Sequence, residues 1–310
     1  MFTIHKTIDG VLTPVDHIEP DCWVNLSNPS DEELRRASVL LGIPLDYLTD
    51  PLDADERARL EHEDGILLLV IRVPLENEAD VRVPYLTLPI GIVITRTAVV
   101  TVCRSPRDIV AELLNGRART MDTARRLCLA IHLLQRTAIT YLNDLKDINR
   151  RTAFIEQRLQ QSMRNQELIE LLNIEKSLVY FTTSLKANDI IMEKLLRTRT
   201  LRISEEESDL LEDAITENRQ AIGMTNIYSD ILSGTMDAFA SIISNNMNTV
   251  MKFLTGFTII LMIPNIITGI YGMNIDTPLH DSPYAFGIVS GVTVGLCLVA
   301  WLVFLKKRWL

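Results

Sequence analysis

The stretch FLTGFTIILMIPNIITGIYGMN, Phe253 to Asn274, decides how the rest of the chain is read. From Phe253 to Tyr271 it carries no full charge, and at about 19 residues it is long enough to cross the hydrocarbon core of a bilayer as a helix. It is not uniformly apolar. Thr255, Thr258, Asn265 and Thr268 interrupt it, and Pro264 stands inside it. Polar groups at bilayer depth are costly and usually face a bundle interior or water. At helical steps of three and four, Asn248, Met251, Leu254, Thr258, Met262, Asn265 and Gly269 run down one face. In a ring of parallel copies that face would line a central pore. The alternative is that Asn265 and the threonines hold helices together while Pro264 kinks one.

Downstream, Tyr284 to Leu305 forms a second apolar run, interrupted only by Ser290, Thr293 and glycines. The connector, Gly272 to Pro283, carries Asp276 and Asp281 but no Lys or Arg, and Lys306-Lys307-Arg308-Trp309-Leu310 follows the second run. The positive-inside rule places that basic tail in the cytoplasm, with Lys252 on the same side of the first run. The expected topology is therefore multi-pass in the cell membrane with both termini inside and 272–283 outside. Asp276 and Asp281 there would raise the local cation concentration.

Upstream, no proline interrupts Arg202 to Ile263. Ile215, Ile222, Met236, Ile243 and Val250 recur at multiples of seven, joined by Leu211, Leu232 and Phe239. Ser204 followed by Glu205-Glu206-Glu207 is a capping-box start. A helix over 204–271 would be roughly 100 Å long at about 1.5 Å per residue. Such a stalk has to bury its seam against other chains, so a homo-oligomer is expected. From Asp122 to Arg199 glycine and proline are absent and apolar residues keep helical spacing. Two long helices with a break around Gln161 to Asn165 are expected, as an antiparallel pair.

The first 121 residues read as a mixed α/β domain. Strands are expected at Gly65 to Val73, Pro89 to Ile94 and Ala98 to Val102, short apolar runs bounded by Gly, Pro or charge. Ser30 before Asp31-Glu32-Glu33 marks a helix start, and Gly42 before Pro44 its end. The expected organisation is an α+β cytoplasmic domain over 1–121, a helical hairpin over 122–203, and a stalk helix continuing into the first span over 204–271. An external loop (272–283), a second span (284–305) and a basic cytoplasmic tail (306–310) complete it.

Composition narrows the function. A formal net charge of -9 argues against a nucleic-acid partner, which needs clustered Lys and Arg. Cys22, Cys103, Cys128 and Cys297 are scattered, and neither they nor the five histidines show zinc-ligand spacing. No phosphate-binding glycine loop, paired nucleophile and base, or cofactor motif occurs, so an enzyme, a pump or an organic cofactor is not expected. Met1 to Gly10 lacks a basic start with an apolar core, so a cytoplasmic start without a cleaved signal peptide is expected.

Tyr271-Gly272-Met273-Asn274 stands at the outer end of the penultimate of two C-terminal spans, behind a long charged stalk. This resembles the CorA family of magnesium transport proteins, whose signature is Gly-Met-Asn in that position. The resemblance extends to Trp23-Val24-Asn25-Leu26, to Glu32-Glu33-Leu34 with Gly42-Ile43-Pro44, to Asp53-Ala54-Asp55-Glu56-Arg57, to the cluster from Glu61 to Asp64, and to Asn248 through Thr255. It implies a funnel-shaped homopentameric channel in the lipid bilayer. Gly272, Met273 and Asn274 would form the outer mouth, with five Asn274 amide oxygens meeting an arriving ion. Asn248 would give a polar ring, and Met251 and Leu254 an apolar gate. Asn265 stands where many relatives carry threonine. Asp213 on the stalk and Asp50 in the α/β domain would hold a regulatory metal between subunits.

The implied cargo is Mg²⁺, with Co²⁺ or Ni²⁺ possible, entering down its electrochemical gradient and also serving as the regulatory ion. ZntB-type zinc transporters share the signature and are the alternative within the superfamily; the absence of histidine along the pore face favours magnesium or cobalt. A membrane-anchored oligomeric scaffold or sensor is the alternative of another class.

Overall fold

The computed structural model describes residues 1–77, 83–105, 109–114, 122–162, 165–198, 203–273, 278 and 282–307. Among them the strands form one seven-stranded sheet in the order β2-β1-β3-β7-β6-β5-β4. The strands are β1 (Phe2–Ile8), β2 (Val11–Pro14), β3 (Cys22–Ser27), β4 (Arg59–Glu63), β5 (Ile66–Glu76), β6 (Tyr85–Ile94) and β7 (Ala98–Cys103). Only the central β3–β7 pair is parallel. The three strands expected from apolar runs are β5, β6 and β7. β1, β2 and β4 carry more polar sequences, and β3 shows no period-two alternation because it is buried on both faces.

β5 shows why the sheet lies in the middle of its domain. Leu67, Leu69, Ile71 and Val73 point to one core, and Leu68 and Val70 to another; all are buried. A strand apolar on both faces needs a layer on each side. One layer is α1 (Asp31–Leu41) with α2 (Leu45–Thr49). Ser30 and Glu33 close a full capping box on α1, and Gly42 ends it in the left-handed conformation at φ 66°, its N–H donating to the Ser38 carbonyl. The other layer holds Ile109 and Val110 of α3 (Ile109–Leu114) and the long helices α4 (Arg126–Ser162) and α5 (Asn165–Arg197).

α5 packs with a stripe that is polar at chosen points. β4 pairs with β5 only as far as Val70, so the backbone of Arg72 has no strand on that side. Asn188 takes the place of one: its Oδ1 accepts from the Arg72 N–H at 2.9 Å, and its Nδ2 donates to the Arg72 carbonyl at 2.8 Å. Tyr141 of α4 donates to the same carbonyl at 3.1 Å. One and two turns earlier Ser184 donates to Thr87 Oγ1 and Phe181 packs edge-on to Tyr141, while Ser177 accepts from the Tyr85 N–H. Every polar atom of this seam has a partner, as burial demands.

α6 runs unbroken from Glu205 to Tyr271 behind a capping box of Ser204 and Glu207, and α7 spans Ala285–Lys306. The chain divides into two compact units, Met1–Gly234 and Thr235–Leu310, so the hairpin is a layer of the first unit. The expected stalk seam needs a correction in its first part. Leu211, Ala214 and Ile215 join the core formed by the sheet, α4 and α5 of the same chain. A seven-residue repeat shows that a face is apolar, not what covers it. Farther along, Val250 is 60% exposed and still needs a partner.

Two consequences are measurable. Asn188→Ala leaves a buried N–H and carbonyl without their side-chain partner, a loss of about 1–3 kcal/mol, and should lower the thermal midpoint of the detergent-solubilised chain by several degrees. Asp144 of α4 lies behind Tyr141, facing Glu76 of β5 and Asp147 and Arg151 of its own helix. Burial, then Glu76 and Asp147, pushes its carboxyl up to about 7, while Arg151, already bound to Glu76 and Asp147, opposes this. The folded chain therefore holds a proton there that the unfolded chain releases near 3.8, and this stability is lost as pH rises through about 7. Asp144→Asn should flatten the thermal midpoint between about pH 5 and about pH 8 and raise it at the upper end. An unchanged slope would rule Asp144 out as its source.

Candidate functional site

Among the described residues α6 and α7 are the helices long and apolar enough to cross a membrane. Their most apolar stretches are 6% and 0% buried, unlike a core helix of a soluble domain. On α6 the less exposed residues are Gly256, Ile260, Ile263, Pro264 and Ile267; on α7 they include Val289, Thr293, Cys297, Ala300 and Phe304. Both sets step by three and four, and the Cys297 sulfur lies 3.8 Å from the Ile260 carbonyl oxygen, so these are the faces that meet.

At about 100° per residue, that face of α6 lies roughly 180° from the one carrying Met251, Leu254, Thr258, Met262, Asn265 and Gly269. All six of these residues are exposed, as is Asn248. α7 thus backs α6 and leaves the half-polar face uncovered.

The hydrogen bonds on that face have one sense. Thr258 Oγ1 donates to the Leu254 carbonyl at 2.8 Å, and Asn265 Nδ2 donates to the Leu261 carbonyl at 3.3 Å. The helix backbone takes up these donors. Acceptor capacity remains at the Thr258 hydroxyl oxygen and at Asn265 Oδ1, beside the second N–H of the Asn265 amide and the amide of Asn248. A hydrated cation turns the O–H bonds of its waters outward, so an uncharged surface with accepting oxygens suits it.

The outer end is shaped by glycine. The Gly272 N–H donates to the Thr268 carbonyl at 2.8 Å, and a Cβ at Gly272 would meet that same oxygen at 3.0 Å. The backbone closes here because no side chain is in the way. Met273 follows, 55% exposed. Asn274, Asp276 and Asp281 lie outside the described residues.

Asp213 and Asp50 are not brought together within one chain. Asp213 lines a cavity of about 390 Å³ with Asp122, Cys128, His132, Glu206 and Asp209, next to the core on the α4–α6 side of the sheet. In this cavity Arg125 bonds Glu206 at 2.9 Å and holds its carboxyl below the usual range. Asp50 opens a short turn, Asp50–Leu52, on the α1–α2 side and is ion-paired with Arg59 at 2.7 Å. Arg59 also binds Glu61 at 2.6 Å and Glu56. Among the described residues no three His, Cys, Asp or Glu side chains converge to hold a metal. Sequence reading missed Arg59 as the partner of Asp50, and Cys297 as the residue facing the proline turn; the signal for the latter was its four-residue spacing from Thr293 on α7.

Residues 21–308 match the family model described as CorA-like Mg2+ transporter protein. The cobalt/magnesium transport protein CorA of Methanocaldococcus jannaschii is 28% identical over 293 residues, which are 93% of this chain and 91% of that protein. The complete structure of the CorA magnesium transporter from the same organism superposes with a TM-score of 0.86 at 27% identity, covering 100% of this chain and 99% of that one. The ZntB cytoplasmic domain from Vibrio parahaemolyticus aligns at 13% identity with a TM-score of 0.61, over 79% of this chain and 97% of that one, a likeness of fold alone.

Proposed function

The chain belongs to the family of CorA-like Mg2+ transporter proteins, and from that premise we propose that the half-polar face of α6 lines a conduction path for hydrated Mg²⁺, with Co²⁺ as a second cargo. The protein is a membrane transporter of divalent metal ions of the CorA type, not an enzyme. The observation that carries the proposed path is the half-polar, uncharged face of α6, with accepting oxygens at Thr258 and Asn265, set opposite the face that α7 covers.

Mg²⁺ keeps near-ideal octahedral coordination and sheds water reluctantly. Stripping it would take a dense cage of carboxylates, and the face from Asn248 to Gly269 has none. Amide and hydroxyl oxygens instead accept from its waters and hold it in its outer shell. Neutral rings also bind weakly enough for the ion to leave again. A dication gains roughly 4.6 kcal/mol on entering through 100 mV, negative inside, so no energy-coupling domain is required.

The finer architecture extends that proposal. Five copies surround the axis, Asn274 greets the ion outside, and Met251 with Leu254 forms the constriction. Both termini lie in the cytoplasm, on the strength of Lys252, Lys306 and Lys307. Cytoplasmic metal bridges Asp213 of one copy and Asp50 of the next and so favours the closed state by its differential affinity. Arg59, already on Asp50, competes with that metal. Zinc is the weaker candidate cargo, because the α6 face offers neither histidine nor cysteine nor carboxylate.

The test is uptake into liposomes carrying the full chain, with Mg²⁺, Co²⁺, Ni²⁺ and Zn²⁺ side by side. Mg²⁺ and Co²⁺ should enter. Asn265→Leu should cut Mg²⁺ uptake about tenfold, the loss of one good acceptor to a charged species, and Asn265→Gln should retain most of it. No uptake of any dication, or uptake indifferent to Asn265→Leu, would overturn the assignment.

A further inference from the structure

Pro264 lies inside α6. Proline has no N–H, so the carbonyl of Ile260, four residues back, loses the donor that a helix interior normally supplies. In hydrocarbon no water replaces it, and proline in a spanning helix is tolerated where a neighbouring group does. The polar side chains of α6 itself are turned elsewhere. Thr268 donates to the Pro264 and Asn265 carbonyls, Asn265 to Leu261, and Thr258 to Leu254. The group that reaches the Ile260 carbonyl is the Cys297 thiol of α7, at 3.8 Å. Cys297 is half-buried on the face of α7 turned to α6, and its S–H is a weak donor whose large sulfur spans a long contact.

We propose that Cys297 is a positioning residue of the ion pathway: its thiol supplies the hydrogen bond that Pro264 removes from α6 and pins the proline turn against α7. Asn265 directly follows Pro264, so the direction of its amide oxygen depends on how that turn is held. This rests on α6 lining the path. It adds a reason for a cysteine on α7 and makes the second span part of the pore's geometry rather than a lipid-facing cover.

The test is a double-mutant cycle on the full chain in liposomes, read by Mg²⁺ flux and by the infrared S–H stretch. With Pro264 present, Cys297→Ala should lower maximal Mg²⁺ flux about threefold, the typical size of one interhelical hydrogen bond in a bilayer, and Cys297→Ser, which keeps an O–H donor, should restore most of it. Pro264→Ala returns an N–H to the helix and makes the thiol redundant, so adding Cys297→Ala to it should change flux no further. In the parent chain, the S–H band removed by Cys297→Ala should sit at the hydrogen-bonded frequency, and in Pro264→Ala it should move to the free one. Equal effects of Cys297→Ala in both backgrounds, or a free S–H band in the parent, would overturn the proposal. The parent spectrum decides even if Pro264→Ala does not fold. Absence of Mg²⁺ flux in the parent would instead sink the pathway, with the infrared result still deciding the thiol's bond.

Discussion

A backbone carbonyl or amide in hydrocarbon must find its partner inside the protein, and the part of this chain that carries the two apolar helices is arranged around that constraint. It forces two continuous helices where the sequence turns apolar. It makes Thr258, Thr268 and Thr293 fold their hydroxyls back onto the preceding turn, at 2.7 to 2.9 Å. The same inward donation leaves the Thr258 oxygen and Asn265 Oδ1 open to accept on the uncovered face of α6. The device that satisfies the helix therefore also leaves accepting oxygens on the surface a cation would meet. Pro264 is the one position where the helix cannot satisfy itself, and there α7 lends a donor.

The first unit obeys the same accounting by other means. The β5 edge beyond β4 would expose the Arg72 backbone inside a packed layer, and Asn188 with Tyr141 completes it. Arg72 in turn spends its guanidinium on the carbonyls of Ala54, Glu56 and Thr87. The segment that carries Asp50 is thus tied to the sheet through arginines, with Arg59 on its carboxylates and Arg72 on its carbonyls. A metal drawn to Asp50 would have to compete with Arg59 for the same carboxylate.

What the sequence made legible follows from periodicity and caps. The two spans, the long helices α4 and α5, the capping box at Ser204, the α1 N-cap at Ser30 and its end at Gly42, and the apolar runs of β5 to β7 all appear where local rules place them. The face of α6 bearing Thr258 and Asn265 was legible too, because one side of a helix is a matter of spacing. What escaped depends on neighbours distant in sequence. Leu211 and Ile215 read as a seam for another chain and instead enter the core of their own. Ser177, Ser184 and Asn188 look like interruptions of an apolar stripe until the sheet edge they satisfy is known. The resemblance offers Asp50 as a metal ligand without showing that Arg59 already sits on it, and Cys297 reads as an incidental thiol until Pro264 faces it.

The central claim is that several copies of α6 turn their half-polar face toward a common water-filled axis. A density map of the full chain in lipid nanodiscs with Mg²⁺ tests it most directly. The account predicts Thr258 and Asn265 from each copy around an axial density held at water-mediated distance from the amide oxygens, with α7 outside the ring. A map in which those side chains face lipid or protein, and no aqueous opening runs between the copies, would contradict it.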